Sequence, residues 1–235
     1  MIEITALASS SKGNCYRITD GHTPLLLECG INYRDIQKGF DFRMSEVAGC
    51  LISHEHGDHC KSIKDVLKAG IDVYTSHGTA EALGIEHHRI KRVRAKEQFQ
   101  LGTWTILPFD VQHDVSEPLG FLLANLAGDK LIFATDTYYI KYKFQGITHI
   151  MVEANYSMDK LNENILNGRT PAVMKKRLLR SHFSLENVKE FLMANDLSKV
   201  QEIWLLHLSD SNSDEAMFKR EIMELTGKMV IIPQG

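Results

Sequence analysis

Six consecutive residues, His54-Glu55-His56-Gly57-Asp58-His59, place three imidazoles and a carboxylate in one short stretch directly after the apolar run Gly49-Cys50-Leu51-Ile52-Ser53. Imidazole nitrogen and carboxylate oxygen are the usual donors to catalytic divalent cations. His54 and His56 lie two apart, so in an extended loop both can face one cation, while Asp58 and His59 can reach a second beside it. The helical zinc motif H-E-x-x-H is excluded: Asp58 occupies the position where its second His must stand, and Gly57 weakens a helix there. Glu55 has no evident part in the site. Cys60 adjoins the motif, but a helix following it turns the thiol toward the core, and a structural role is expected.

So short a motif cannot complete a metal shell, and the remaining donors must come from far along the chain. Three residues stand where an apolar run ends: His113 after 106–112, Asp136 after 131–135 and His207 after 203–206. Such positions present a side chain rigidly to a site. Taken singly, each reads better as an ordinary strand-end residue than as a ligand; with the hexad they make seven donors.

The elements that must position them are short. Strand-like segments are expected at 2–8, 15–18, 25–29 and 50–53, with a polar turn at 9–14. A helix over 61–69 follows the motif, its apolar positions Ile63, Val66 and Leu67 at helical spacing, with Gly70 to stop it. Next come a strand at 72–75, a helix near 79–83, strands at 104–109, 120–124, 130–134 and 147–153, and helices at 159–166, 172–179, 185–195 and 215–226. Strands at 202–206 and 229–232 complete the series. The alternation, without repeats or a linker, predicts an α/β chain of two sheets flanked by helices, as one domain over 1–235.

Bulk properties narrow the class. The 235 residues suffice for a core without disulfides, and a net charge of −3 predicts no nucleic-acid partner by itself. The N-terminus alternates like a strand and carries Glu3, unlike a signal peptide, and no apolar run is long enough to span a membrane. Cys15, Cys29, Cys50 and Cys60 form no C-x-x-C pair, so reduced thiols and a cytoplasmic location are expected. A homodimer is left open.

The ordered donors H-x-H-x-D-H, a lone His, an Asp and a final His resemble the metallo-β-lactamase superfamily. That resemblance implies a four-layer αββα sandwich and two divalent cations. One would be held by His54, His56 and His113, the other by Asp58, His59 and His207, with Asp136 bridging. His-rich ligation suits Zn, and a bridging carboxylate with a phosphate substrate also admits Mn. Water shared by two cations is a nucleophile at neutral pH, which makes hydrolysis the implied chemistry; Asp58 would also orient it. Glu153-Ala154-Asn155-Tyr156 and Ser181-His182-Phe183-Ser184-Leu185 resemble loops of the phosphodiesterase branch that includes tRNase Z, implying His182 as general acid and Glu153 as its orienting partner. An exposed His at a helix start, with Ser184 as the cap, is the plainer reading of His182.

More particular blocks resemble the bacterial WalJ (YycJ) type: 7–15, 26–31, 153–156, 169–171, 175–179, 182–184 and 207–212. They imply a two-metal phosphodiesterase, a DNA exonuclease, with DNA as partner; the alternative is a phosphodiesterase for cyclic nucleotides or cyclic ribose phosphates. A lactamase or thioesterase is disfavoured by Glu153 and His182. The chain departs from the pattern at Glu28, where Asp is usual, and at Tyr156, where His is common. Arg169, Lys175, Lys176, Arg177 and Arg180 cluster before His182, and a second basic run spans 87–96; either suits a phosphate backbone or is a solvated face.

Overall fold

The central strand segments 25–27, 150–152 and 203–206 are apolar at every position because both faces of each sheet are covered there, which removes the polar–apolar alternation of a half-exposed sheet. A computed structural model describes residues 1–233. The first sheet takes β1 (Glu3–Ser10), β2 (Gly13–Thr19), β3 (Leu25–Leu27), β4 (Gly49–Leu51), β5 (Val73–Thr75) and β6 (Ile90–Arg92) in chain order. It is antiparallel from β1 to β3 and parallel from β3 to β6. The second takes β7 (Phe99–Leu101), β8 (Trp104–Asp110), β9 (Leu119–Ala124), β10 (Lys130–Ala134), β11 (His149–Glu153), β12 (Glu202–Leu206) and β13 (Met229–Ile231), antiparallel up to β10 and parallel beyond it.

Successive side chains point to opposite faces. Leu25 and Leu27 meet Trp104, Leu131, Phe133 and Leu206 in a core between the sheets. Leu26, Cys50 and Val73 face outward onto α1 (Tyr33–Gly39) and α3 (Ile63–Lys68). On the far side, Ile132, Ile150, Ile203 and Leu205 lie beneath α7 (Leu185–Met193) and α8 (Glu215–Thr226). The result is the αββα sandwich. The other helices are α2 (Gly57–Cys60), α4 (His77–Leu83), α5 (Met158–Leu166) and α6 (Ala172–Ser181).

Several boundaries differ from the sequence reading. The turn expected at 9–14 is a two-residue hairpin loop, Ser11-Lys12, because Ser10 pairs with Gly13 and Ser9 with Asn14. Helix α1 escapes prediction because only Ile36 of its seven residues is buried. The strand expected to reach Cys29 ends at Leu27, since Glu28 adopts a left-handed φ of 59°. A one-turn helix does begin at Gly57, preceded by an extended His56, so the hexad is extended in its first half and helical in its second. The basic run 87–96 contributes β6, where Arg89 and Lys91 both pair with Asp72 at 2.9 and 3.6 Å.

Glycine is required where the chain passes behind α2. A Cβ on Gly30 would sit 1.6 Å from the Asp58 carbonyl oxygen, while Cys29 N–H donates to the His59 carbonyl at 2.8 Å. Gly30→Ala therefore must push the 58–59 backbone away, and a loss of about 1–3 kcal/mol in urea unfolding is expected; unchanged stability would mean the two segments do not touch.

Candidate metal centre

Parallel strands β10, β11 and β12 end side by side, with Ala134 opposite Val152 and Glu153 opposite Leu206. Asp136, Glu153 and His207, at or just beyond the ends of these strands, therefore emerge together at the carboxyl edge, where ligands of open parallel sheets gather. Asp136 and His207 have φ of 46° and 53°. Left-handed backbone at a non-glycine residue costs about 1–3 kcal/mol, and here it accompanies the turn of both side chains off their strand lines into the centre. From the facing sheet, the segment after β4 delivers the hexad, and Leu119 N–H donates to the Ser53 carbonyl at 3.0 Å to tie it to β9.

All seven expected donors converge in two nests. In the first, His56 Nδ1 lies 3.1 Å from His54 Nε2 and 3.3 Å from His113 Nε2, and Asp136 Oδ2 lies 3.8 Å from each of the other two nitrogens. In the second, His59 Nε2 lies 3.3 Å from Asp58 Oδ2 and 3.4 Å from Asp136 Oδ1, and His207 Nε2 lies 3.5 Å from Asp58 Oδ2. Donors about 2.0–2.1 Å from a tetrahedral cation are about 3.3 Å apart, so both nests are of the right size. Asp136 presents one oxygen to each.

The donor chemistry also fits cations. His207 Nε2 is buried with no hydrogen-bond partner, an arrangement costly to a polar atom unless something binds it. The opposite ring nitrogens are anchored: His113 Nδ1 donates to the Ser181 carbonyl at 2.8 Å, leaving Nε2 as the acceptor, and His54 Nδ1 meets Ser53 Oγ at 2.8 Å. Burial, reinforced by neighbouring His59, lowers the pKa of His54 and keeps it a neutral donor. Burial works against ionisation of Asp58 and Asp136, yet His207 and His59 outweigh it and hold both carboxyls well below their usual range. Burial equally disfavours charge on His59 and His207, but Asp136 above all draws protons onto them. A site that pulls in protons against burial also pulls in metal ions.

His182 and Glu153 lie against the second nest. Glu153 is fully buried; its Oε1 faces His182 Nδ1 at 2.6 Å and His207 Nδ1 at 3.1 Å, and its Oε2 accepts from the Thr137 and Phe183 amides at 3.0 and 3.1 Å. It holds His207 as well as His182. Burial lowers the basicity of His182, but Glu153 reverses this and raises its pKa above the ordinary value.

Two further residues escaped the sequence reading as contributors. Asn14 Nδ2 lies 3.2 Å from His59 Nε2 and 3.4 Å from Asp58 Oδ2, and its Oδ1 accepts from the buried Tyr16 hydroxyl at 3.2 Å. Ser9 Oγ accepts from the His207 amide at 3.0 Å. Their signal was polar side chains at strand positions, masked by the appearance of a turn. Glu55 is more than a bystander: it accepts from Ser116 N–H at 3.1 Å and Thr79 Oγ1 at 3.4 Å, pinning the loop after His113. Cys60 stays out of the ligand groupings among the described residues, its thiol donating to the Glu55 and His56 carbonyls. At the two departures, Glu28 Oε2 stands 3.7 Å behind His59 Nδ1, whereas Tyr156 is buried outside the nests, bridged to Ser184, its phenol pushed up to about 12 by burial.

Fold and site together define a metallo-β-lactamase-type, metal-dependent hydrolase. The chain belongs to the family described as the beta-lactamase superfamily domain, whose model matches residues 25–207. It is 25% identical to the exodeoxyribonuclease YycJ of Bacillus anthracis over 95% of this chain and 89% of that one. Among solved structures it is similar to the metallo-beta-lactamase fold protein YhfI of Bacillus subtilis, at TM-score 0.75 and 14% identity, covering 100% of this chain and 96% of that one. It is also similar to a diphosphatase of the PhnP family, at TM-score 0.65 and 14% identity, covering 94% and 92%.

Because the fully buried Glu153 serves the buried His207, the half-buried His182 and two amides, Glu153→Ala is expected to cost about 3–5 kcal/mol, as for one half of a buried ion pair removed. Urea denaturation measures it; a loss under about 1 kcal/mol would show that the network is not coupled through this carboxylate.

Proposed function

We propose that the chain is a two-metal phosphodiesterase that degrades DNA from its ends, a cytoplasmic exonuclease. The observation that carries the reading is His182, held at 2.6 Å by Glu153, with its ring centroid 5.7 Å from that of His113 and 5.6 Å from that of His207. It stands beside both nests as an extra proton donor. Hydrolysis of a phosphodiester needs a proton for the departing oxygen, which a group in this position supplies. The similarity to an exodeoxyribonuclease across nearly the whole chain points to DNA. Four buried thiols suit a reducing compartment, and no helix among the described residues is long and apolar enough to cross a membrane.

His54, His56 and His113 would hold one cation, Asp58, His59 and His207 the other, with Asp136 shared, Zn and Mn both being compatible with the donors. When bound, the two cations would activate water and compensate charge on the attacking and leaving oxygens. Asp58, partly exposed at the mouth, can accept a hydrogen bond from the incoming water. Glu153 fixes His182 through Nδ1, so Nε2 is the atom that faces substrate and gives up its proton. Phe183 N–H and Thr137 N–H lock Glu153 in turn, so the donor's aim is set by backbone.

The raised pKa of His182 keeps it protonated to higher pH than an ordinary His. The rate should hold below that value and fall as pH rises through it. His182→Ala should lower kcat by about 10²–10⁴-fold, the usual worth of a positioned acid, and abolish that alkaline fall while metal content, read by atomic emission, stays the same. Loss of metal would make His182 a ligand instead. Asp136→Ala should empty both nests, and retention of two ions would sink the bridging role. End-labelled DNA and cyclic mononucleotides, each incubated with the Mn²⁺- or Zn²⁺-loaded protein, decide the substrate: turnover of cyclic nucleotides with DNA intact overturns the nuclease reading in favour of a small-molecule phosphodiesterase.

A further inference from the structure

Helix α6 carries Val173, Lys176, Arg177 and Arg180 at spacings of three, four and seven residues, which is one face of a helix. That face lines a groove of about 780 Å³ together with Ser181, His113, Asp114 and Tyr138. His113 belongs to the first nest, so the groove opens directly onto the metal centre. Among the described residues, none of Lys176, Arg177 and Arg180 has a carboxylate within ion-pair distance. In the other basic run Arg89 and Lys91 pair with Asp72 and Arg94 with Glu97, while Arg92 and Lys96 have no such partner among the described residues; Lys175, off the α6 face, meets Asn162 Oδ1 at 2.6 Å.

Three cations against the single carboxylate of Asp114 leave the groove positive on a chain whose net charge is −3. Charge concentrated in a cleft attracts an anion far more than the net value suggests. Lys176 and Arg180 are about 6 Å apart along the helix axis, a spread suited to successive anionic groups. Beside them stand apolar surfaces that water alone does not require: Val173 is 81% exposed, and the Tyr138 ring is half-buried in the same groove. Cations interleaved with an aromatic face are the chemistry of single-stranded nucleic acid, whose bases are free to stack, whereas a duplex hides them.

We propose that the α6 groove holds a single strand of the DNA substrate, its phosphates on Lys176, Arg177 and Arg180 and a base against Tyr138, and feeds that strand to the metal centre. The proposal rests on the phosphodiesterase reading and extends it to how substrate is gripped. Binding of an uncleavable phosphorothioate oligodeoxythymidylate to the metal-loaded protein, followed by fluorescence anisotropy across salt concentrations, tests it without turnover. For the triple variant K176Q/R177Q/R180Q the slope of log affinity against log salt should be shallower by about 2, the share of three phosphates on a single strand, so a fourfold rise in salt weakens the native protein about 20-fold more than the variant.

In turnover, the ratio of kcat/KM for the oligonucleotide to that for bis(p-nitrophenyl) phosphate should fall at least about tenfold in the same variant, the scale set by those lost contacts. That ratio cancels any general loss from misfolding. An unchanged slope overturns the proposal, as does tighter binding of blunt duplex than of the single strand. So does a loss of slope found instead in R92Q/R94Q, on the other basic run. If the native protein hydrolyses neither diester, the phosphodiesterase reading falls, while the anisotropy slope still reports on the groove independently.

Discussion

Four carboxylates, those of Glu28, Asp58, Asp136 and Glu153, are brought to one edge of the sandwich, and three of them are almost wholly removed from solvent. Ionised carboxylates do not enter a protein interior unless opposite charge comes with them. The surrounding histidines answer this demand, some by taking protons and some by offering lone pairs, and the two donor nests mark where fixed positive charge belongs. Much else in the chain follows from that constraint. Strands β10, β11 and β12 must end in register, Asp136 and His207 must accept left-handed backbone, and Gly30 must lack a side chain so that α2 can close down on the chain behind it.

The structure divides the supporting work between amides and side chains. Glu153 is held by two backbone N–H groups and spends its other oxygen on two histidines. Glu28 receives the Ser53 amide at 3.1 Å and stands behind His59. Asn14, Tyr16 and Ser9 form a polar seam from the first hairpin to His207, so the first strands of the chain help to set a residue near its end. A buried polar network of this kind is tolerated when its members are satisfied, and His207 Nε2, a buried atom without a partner, points into the second nest.

The seven residues that converge in the two nests stood out because metal chemistry restricts residue type and because strand ends are marked by sudden polarity after apolar runs, whereas His182 and Glu153, which the structure brings beside them, were singled out by resemblance alone. The αββα architecture was legible chiefly by resemblance: strands buried on both faces lose the period-two signal, and helices with one buried residue, such as α1, lose the 3.6-residue signal. What could not be read was the second layer. Ser9 and Asn14 looked like turn residues because their composition suits a turn equally well, and Glu55 looked idle because its partners, Ser116 and Thr79, are distant in sequence. The two basic runs looked alike on paper; only pairing in space separates the partly neutralised one, around Asp72, from the unpaired face of α6.

The separation of the donors along the chain gives the centre a further property. His54 and His207 stand 153 residues apart by their numbering, with His113 and Asp136 between them and each borne on a different strand connection. No local segment can assemble even one nest without long-range closure, which is costly in chain entropy until both sheets have paired. Ion affinity is therefore a property of the finished sandwich rather than of any peptide within it, and binding free energy adds to the stability of the whole. Ions bound there would rivet the two halves of the molecule together.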